Sequence, residues 1–397
     1  MNILFLTYGN ICDINERGIY TDLLRCILIE NSLYTISPKY VNVENVHNDR
    51  LHQVFLDFNT ERAGRNLLKK GISTLLTDRI YLNAFKKYFN DVKFDLVIYT
   101  TPPITITSTI SYIKGKCNAK TYLLLKDIFP QNAVDLGMMT TSGLKSVLYK
   151  FFRLKEKKLY AVSDKIGCMS PANVKYVLNH NPEVDSNKVE VSPNSIEVMD
   201  KSIDEEKRNC IRTKYGIPLD KVVFVYGGNL GKPQGIPFLI ECLKAQHNEK
   251  AYFLIVGDGS EYSNLVAFMN EYNPINMTLM KRLPKEDYDT LVAACDVGMI
   301  ILDHRFTIPN YPSRLLSYMQ AKLPVLASTD PNTDIGQIIE DGGFGWWCES
   351  DNCECFNSLI DSIISLSKYD YMLLSNQSYD YLINNYNVER TYNNICS

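Results

Sequence analysis

Asp127, Lys232 and Arg314 stand where apolar runs give way to polar turns that open helical segments. Asp127 follows Leu123-Leu124-Leu125 in LLLKDIFPQNAVDLGM, Lys232 lies within YGGNLGKPQGI, and Arg314 lies within PSRLLSYM. A carboxylate so placed can hold a hydroxyl or take its proton, and a cation can hold an anion. Glycines at 227, 228 and 231 let backbone N–H groups approach an anion, and the following helix offers its positive end. Taken alone, that glycine cluster fits a bare strand-to-helix turn equally well. Lys232 adds a cation, Gln234-Gly235 a second flexible point, and Pro237 suits a first helical turn. Arg314 in a first turn opposes the helix dipole, a mild cost unless an anion sits above it, and Ser313 or its neighbour can cap that helix. Asp127 either caps its local turn or meets an acceptor hydroxyl or donor sugar, and Gly18 is either a plain turn glycine or lets the first helix approach a diphosphate.

The elements that must position these residues alternate between strand and helix. Strands are expected at Asn2–Thr7, Leu96–Tyr99, Thr121–Leu125, Lys165–Met169 and Val189–Val191. In the second half they fall at Val222–Tyr226, Tyr252–Val256, Met277–Met280, Val297–Leu302 and Val325–Ala327. The strand Val222–Tyr226 is expected to break at Gly227-Gly228, and Tyr252–Val256 at Gly257. Helices follow at Ile19–Glu30, Lys285–Ala294 and Arg314–Ala321. Such alternation predicts an α/β chain with parallel βαβ sheets and ligands at the carboxyl ends of the strands. The expected organisation is two doubly wound, Rossmann-like domains facing a cleft, with a nucleotide sugar on one wall and an acceptor on the other. The divisions fall at residues 1–195, 196–375 and a returning C-terminal helix at 376–397.

At 397 residues, 45% hydrophobic and 22% charged, the chain is globular in composition, with no window apolar enough to span a membrane. MNILFLTYGN reads as a first strand and not a secretory signal, which places the protein in the cytoplasm. Most of the 11 cysteines sit singly in apolar runs. Cys348, Cys353 and Cys355 have neither a fourth ligand nor a nearby histidine in zinc spacing. The net charge of −3 conceals an asymmetry, because Glu61 to Lys165 holds 19 Lys and Arg against 8 Asp and Glu. Arg65–Phe89 and Lys145–Lys158 mix cations with Leu and Phe, the composition of helices that rest on an anionic membrane surface. No nucleic-acid signature accompanies this basic region.

The segments TTPPITITS, LLLKDIFPQNAVDLGM, SPANVKYVL, VSPNSIEV, YGGNLGKPQGIPFLIECL, FLIVGDGSEYSNL, RLPKEDYDTLVAACDVGMIIL and PSRLLSYMQAKLPVLAS occur in this order. Together they resemble the retaining family-4-type glycosyltransferases of bacterial surface-polysaccharide synthesis, and most of all the N-acetylfucosamine transferase branch. The resemblance spans nearly the whole chain. It implies a GT-B fold, no cofactor, metal-independent transfer, a nucleotide-diphosphate sugar donor that is expected to be UDP-linked, and a polyprenyl-linked saccharide acceptor. By the resemblance, Gly228 and Asn229 fall at the diphosphate turn, with Asn229 and Gln234 replacing an arginine and a lysine. Arg282 and Leu283 fall where the backbone holds the base. Ser317 and Pro309 replace a pair of glutamates, the later of which binds ribose. Gly257, Pro312 and Ser313 complete the donor-site candidates.

Two other readings share the fold. A nucleotide-sugar 2-epimerase would carry several carboxylates and a histidine in its cleft, and of the five histidines only His304 lies at a strand end. A catalytically silent partner subunit would account for Ser317 and Pro309.

Overall fold

The computed structural model describes residues 1–57, 67–143 and 146–396, with the stretch 67–75 described by its backbone alone. The chain forms two compact units, Met1–Glu197 with Val388–Ser397 and, between them, Val198–Asn387.

The first unit is built on strands β1 (Asn2–Leu6), β2 (Ser32–Pro38), β3 (Val46–His47), β4 (Leu51–Leu56), β5 (Leu96–Thr100), β6 (Lys120–Leu125), β7 (Lys165–Cys168) and β8 (Val189–Val191). Their order is β3-β4-β2-β1-β5-β6-β7-β8, parallel throughout except for the antiparallel β3–β4 pair. The second unit holds β9 (Val222–Asn229), β10 (Ala251–Asp258), β11 (Met277–Met280), β12 (Val297–Ile301), β13 (Val325–Thr329) and β14 (Gly345–Glu349). Their order is β11-β10-β9-β12-β13-β14, all parallel. Helices cover both faces of such sheets, so the central strands are buried without alternation, as β5 and β12 are along their whole lengths.

Each sheet reverses its winding once, between β1 and β5 in the first unit and between β9 and β12 in the second. Crevices open outside the carboxyl ends of strands at such switch points. In the second unit β9 and β12 pair only through Val297 with Phe224 and Gly298 with Val225, and the strands part beyond those residues. In the first unit the Thr7 and Thr100 hydroxyls, 2.9 Å apart, join the two strand ends.

The elements differ from those expected at several points. Strand β9 does not break at Gly227-Gly228 but continues to Asn229, and β10 does not break at Gly257 but continues to Asp258, because Gly228 and Asn229 pair with Gly257 and Asp258. That pairing needs glycine: a Cβ on Gly257 would overlap the Gly228 carbonyl oxygen, and one on Gly227 would overlap the Tyr288 hydroxyl. Strands β2, β3, β4 and β14 extend the sheets beyond those anticipated. The returning C-terminal segment is also shorter than 376–397. Helix Lys368–Asn385 lies in the second unit, and only Val388–Cys396 rejoins the first, where Val388 and Ile395 share a core with Leu23, Leu24 and Ile27 of helix Ile19–Glu30.

Candidate active site

In the second unit, the crevice between β9 and β12 is walled by the turn after β9 and the loop after β12. Gly235, at φ 55°, ends the short 3-10 turn Lys232–Gln234 and starts helix Ile236–Ala245. Its bare Cα lets the turn approach the Leu302 carbonyl, and the Asp303 N–H donates to the Pro233 carbonyl at 3.1 Å. Arg314, first residue of helix Arg314–Gln320, enters from the other side. Its guanidinium carbon lies 4.2 Å from the centre of the Tyr226 ring, a cation–π distance. Nη2 donates to Gln234 Oε1, which also accepts from the Tyr226 hydroxyl at 3.1 Å. Nη1 is buried and has no hydrogen-bond partner. Arg314 forms no ion pair among the described residues.

Arg212 of the same unit shows what a purely structural arginine looks like. It is fully buried, donates to the Ala294, Pro218 and Lys221 carbonyls, and pairs with Asp296 at 2.6 Å. Arg314 instead presents a buried charge with an unused donor, an arrangement that costs free energy unless a ligand completes it.

The neighbouring candidates sort by what they face. Gly228, at φ 110°, is exposed; its carbonyl lies against Gly257, but a Cβ on it would meet nothing, so that side is open to an approaching group. The Asn229 side chain folds over Gly231 of the same turn. Lys232 is exposed and forms no ion pair among the described residues. Ser317 is half-buried one helical turn beyond Arg314, on the same side. Arg282, exposed, and Leu283, half-buried, occupy the turn between β11 and helix Lys285–Ala293. Gly257 has a packing reason to be glycine, given above. Pro312 and Ser313 precede helix Arg314–Gln320, but the expected serine cap is absent: Ser313 has helical φ and ψ of −65° and −15°, and its side chain accepts no bond from the helix. A serine cap needs an extended backbone to turn its oxygen inward.

In the first unit, Gly18 precedes helix Ile19–Glu30 with φ 179°, extended backbone that any residue adopts. Its N–H donates to Asp22 Oδ1 at 3.0 Å, so Asp22 pins the entry of the helix. Asp127 lies just beyond β6. Asn132 Nδ2 donates to both of its oxygens, at 2.7 and 2.9 Å, and its N–H donates to Thr101 Oγ1 at 3.2 Å. No cation pairs with it among the described residues. Burial therefore pushes its carboxyl up to about 6, against the pull of Asn132 and the Ile128 N–H. The adjacent Lys126 is turned toward the Ser192 carbonyl at 3.3 Å, and burial pulls its ammonium down to about 7. Burial thus holds the Asp127 carboxyl above the usual carboxylate range, toward the pH at which a group that exchanges protons works best.

Gln234, Tyr226 and Asn132 are the partners whose roles sequence spacing does not reveal. Each acts through a pairing across loops, and the only visible signal is that polar residues lie near strand ends.

Residues 207–378, nearly the whole second unit, match the family model described as glycosyl transferases group 1. This chain is a glycosyltransferase. The glycosyltransferase is 25% identical over 312 residues to the Probable glycosyltransferase WbjE of Pseudomonas aeruginosa, across 78% of this chain and 76% of that protein. Among solved structures it is similar to WaaG, a glycosyltransferase involved in lipopolysaccharide biosynthesis, with TM-score 0.68 and 14% identity over 99% of both chains. Anabaena Alr3699/HepE in complex with UDP-glucose also aligns at TM-score 0.68, with 13% identity over 100% of this chain and 98% of the other. At such identities the structures establish the fold, an α/β GT-B fold of two Rossmann-like parallel sheets.

Proposed function

We propose that this glycosyltransferase moves a sugar from a UDP-sugar to a lipid-linked saccharide in the assembly of a bacterial surface polysaccharide. The observation that carries the donor half is the unsatisfied Arg314 guanidinium at the switch point of the second sheet. A diphosphate is a dianionic acceptor of the right kind for it. Lys232, the main chain on the open side of Gly228 and the start of helix Ile236–Ala245 add positive potential around the leaving group. Transfer in this reading needs no metal, retains the anomeric configuration, and uses an N-acetylated amino sugar of the N-acetylfucosamine type, as the motif resemblance implies. The Arg282-Leu283 turn holds the base and Ser317 faces the ribose. HepE was captured with UDP-glucose, and WaaG serves lipopolysaccharide synthesis, both of which agree with this donor and pathway class.

The acceptor belongs to the first unit. Helix Ser146–Val162 exposes Val147, Leu148 and Leu154 beside Lys150 and Lys158, while Phe152 on its other side is buried. An exposed apolar stripe flanked by lysines suits the headgroup layer, where each cation contributes roughly 1 kcal/mol. Arg65 and Lys145 of the basic stretches lie outside the described residues, as do the side chains of Lys69 and Lys70. No described helix is long and apolar enough to cross a membrane. A protein at this surface, on the inner face of the plasma membrane, meets a polyprenyl-linked acceptor where that acceptor is confined.

A thermal-shift screen of UDP-sugars tests the donor assignment. A true donor at 100 times its dissociation constant adds roughly 2.7 kcal/mol of stability, whereas no shift with any UDP-sugar would favour the silent-subunit reading. Ser317→Glu should tighten UDP binding in the same assay, because a carboxylate accepts stronger hydrogen bonds from ribose hydroxyls than a serine does. Weaker binding by a folded Ser317→Glu variant would place the ribose elsewhere.

A further inference from the structure

A cavity of about 190 Å³ lies in the first unit outside the carboxyl ends of β5 and β6, bordered by Tyr8, Pro102, Pro103, Phe129, Phe152 and Asp127. Its wall is mostly carbon. Phe129 and Phe152 meet edge to face at 5.0 Å, and the Tyr8 hydroxyl is engaged by Thr77 at 2.7 Å, which leaves the Tyr8 ring for the cavity. Asp127 is the one carboxylate on that wall, and Thr101 Oγ1 already serves the Lys126 and Asp127 N–H groups. The volume equals that of roughly six water molecules in the liquid, room for a single sugar ring and well below the ~300 Å³ at which drug-sized sites begin.

We infer that this cavity takes the terminal ring of the acceptor, and that the ring is a 6-deoxyhexose. This rests on the transferase reading above and names its acceptor. Charge excludes one alternative and unmet hydrogen bonds the others. A phosphate would lie against an unpaired carboxylate. A hydroxymethyl group among proline and phenylalanine would strand a hydroxyl, and an acetamido group would strand both an N–H and a carbonyl. A methyl group strands nothing. The remaining edge of the ring offers a hydroxyl to Asp127. As that oxygen bonds to the anomeric carbon of the donor, its proton passes to the Asp127 carboxylate. The bond from the anomeric carbon to the diphosphate oxygen breaks, and its electron pair leaves with UDP. Phe152 comes from the helix whose outer side carries Val147, Leu148 and Leu154, so one helix both lines the cavity and presents the stripe assigned to the membrane.

The test compares soluble alkyl glycosides in pairs that differ only at C6: fucoside with galactoside, rhamnoside with mannoside, quinovoside with glucoside. Each is offered to the full-length protein with a UDP-sugar that it hydrolyses. In at least one pair the 6-deoxy member should be favoured in kcat/KM by roughly ten- to hundredfold. Phe129→Ser, which lends the wall a hydroxyl, should bring that ratio near unity while UDP affinity stays unchanged. Saturation-transfer NMR on the wild-type protein should show the C6 methyl protons as the most strongly saturated of the ligand, whether or not the variant folds. Equal or better use of the hydroxymethyl member in every pair overturns the inference, as does turnover of acetamido sugars alone. Continued UDP-sugar hydrolysis with no monosaccharide glycoside accepted also overturns it, and leaves the donor reading standing. Failure to bind UDP overturns the transferase reading itself.

Discussion

Replacing Arg314 by alanine should weaken UDP binding by about ten- to a hundredfold, measured by calorimetry on protein shown by circular dichroism to be folded. The size follows from a charge-assisted hydrogen bond, about 1.5–3 kcal/mol, made by a guanidinium whose Nη1 otherwise has no partner. Arg314→Lys should recover only part of the loss. An ammonium keeps the charge but not the planar fork, and it cannot both stack on Tyr226 and reach Gln234 Oε1. Gln234→Ala should fall between wild type and Arg314→Ala, since the charge remains while its orientation is lost. Full UDP affinity in Arg314→Ala would make the buried guanidinium a structural group after all.

Asp127→Asn should remove the rise in transfer through pH 6 and slow it by about 10²–10⁴-fold, the usual contribution of a general base. The same variant should be the more stable protein at alkaline pH, and the sign follows from linkage. The folded-state pKa of Asp127 lies at about 6, above the ordinary value of 3.8. The stability held by its protonated form is therefore complete below pH 4 and lost as pH rises through about 6. Above that the buried charge costs on the order of 2–3 kcal/mol, a cost that the amide escapes. Denaturant titrations should show the variant ahead at pH 8 and level with wild type near pH 4. Wild-type transfer should climb through pH 6 while the residual activity of the variant shows no such rise. A variant equal to wild type in both stability and pH profile would remove Asp127 from the chemistry.

The α/β alternation was legible because a strand buried on both faces reads as a nearly uninterrupted apolar run, as LVIYT and VGMII do. Strand β2, SLYTISP, was not, because its serines, threonine and terminal proline read as loop until β1 and β4 pair with it. The end of β9 was misread for a related reason. Two consecutive glycines look like a break in sequence, whereas here Gly227 leaves room for Tyr288, Gly228 takes a φ of 110°, and Gly257 of β10 admits the Gly228 carbonyl. Among the candidate residues, Arg314 and Lys232 of the second unit and Asp127 of the first stood out by residue type at a strand or helix end. What makes Arg314 informative is its company, Tyr226 from a strand 88 residues earlier and Gln234 from a turn 80 residues earlier, and no local pattern records that. The apolar cavity beside Asp127 was hidden likewise, since Tyr8, Pro103 and Phe152 come from three separate segments.

The central claim, that a UDP-sugar is bound and opened at the Arg314 crevice, is tested most directly by NMR of the purified protein with candidate UDP-sugars and no acceptor. The expected result is slow release of UDP and free sugar from at least one donor, with the first-formed sugar in the donor's own anomeric configuration, and loss of that release in Arg314→Ala. Conversion to the C2 epimer would contradict the account in favour of an isomerase. No turnover and no binding of any UDP-sugar would contradict it in favour of a silent subunit.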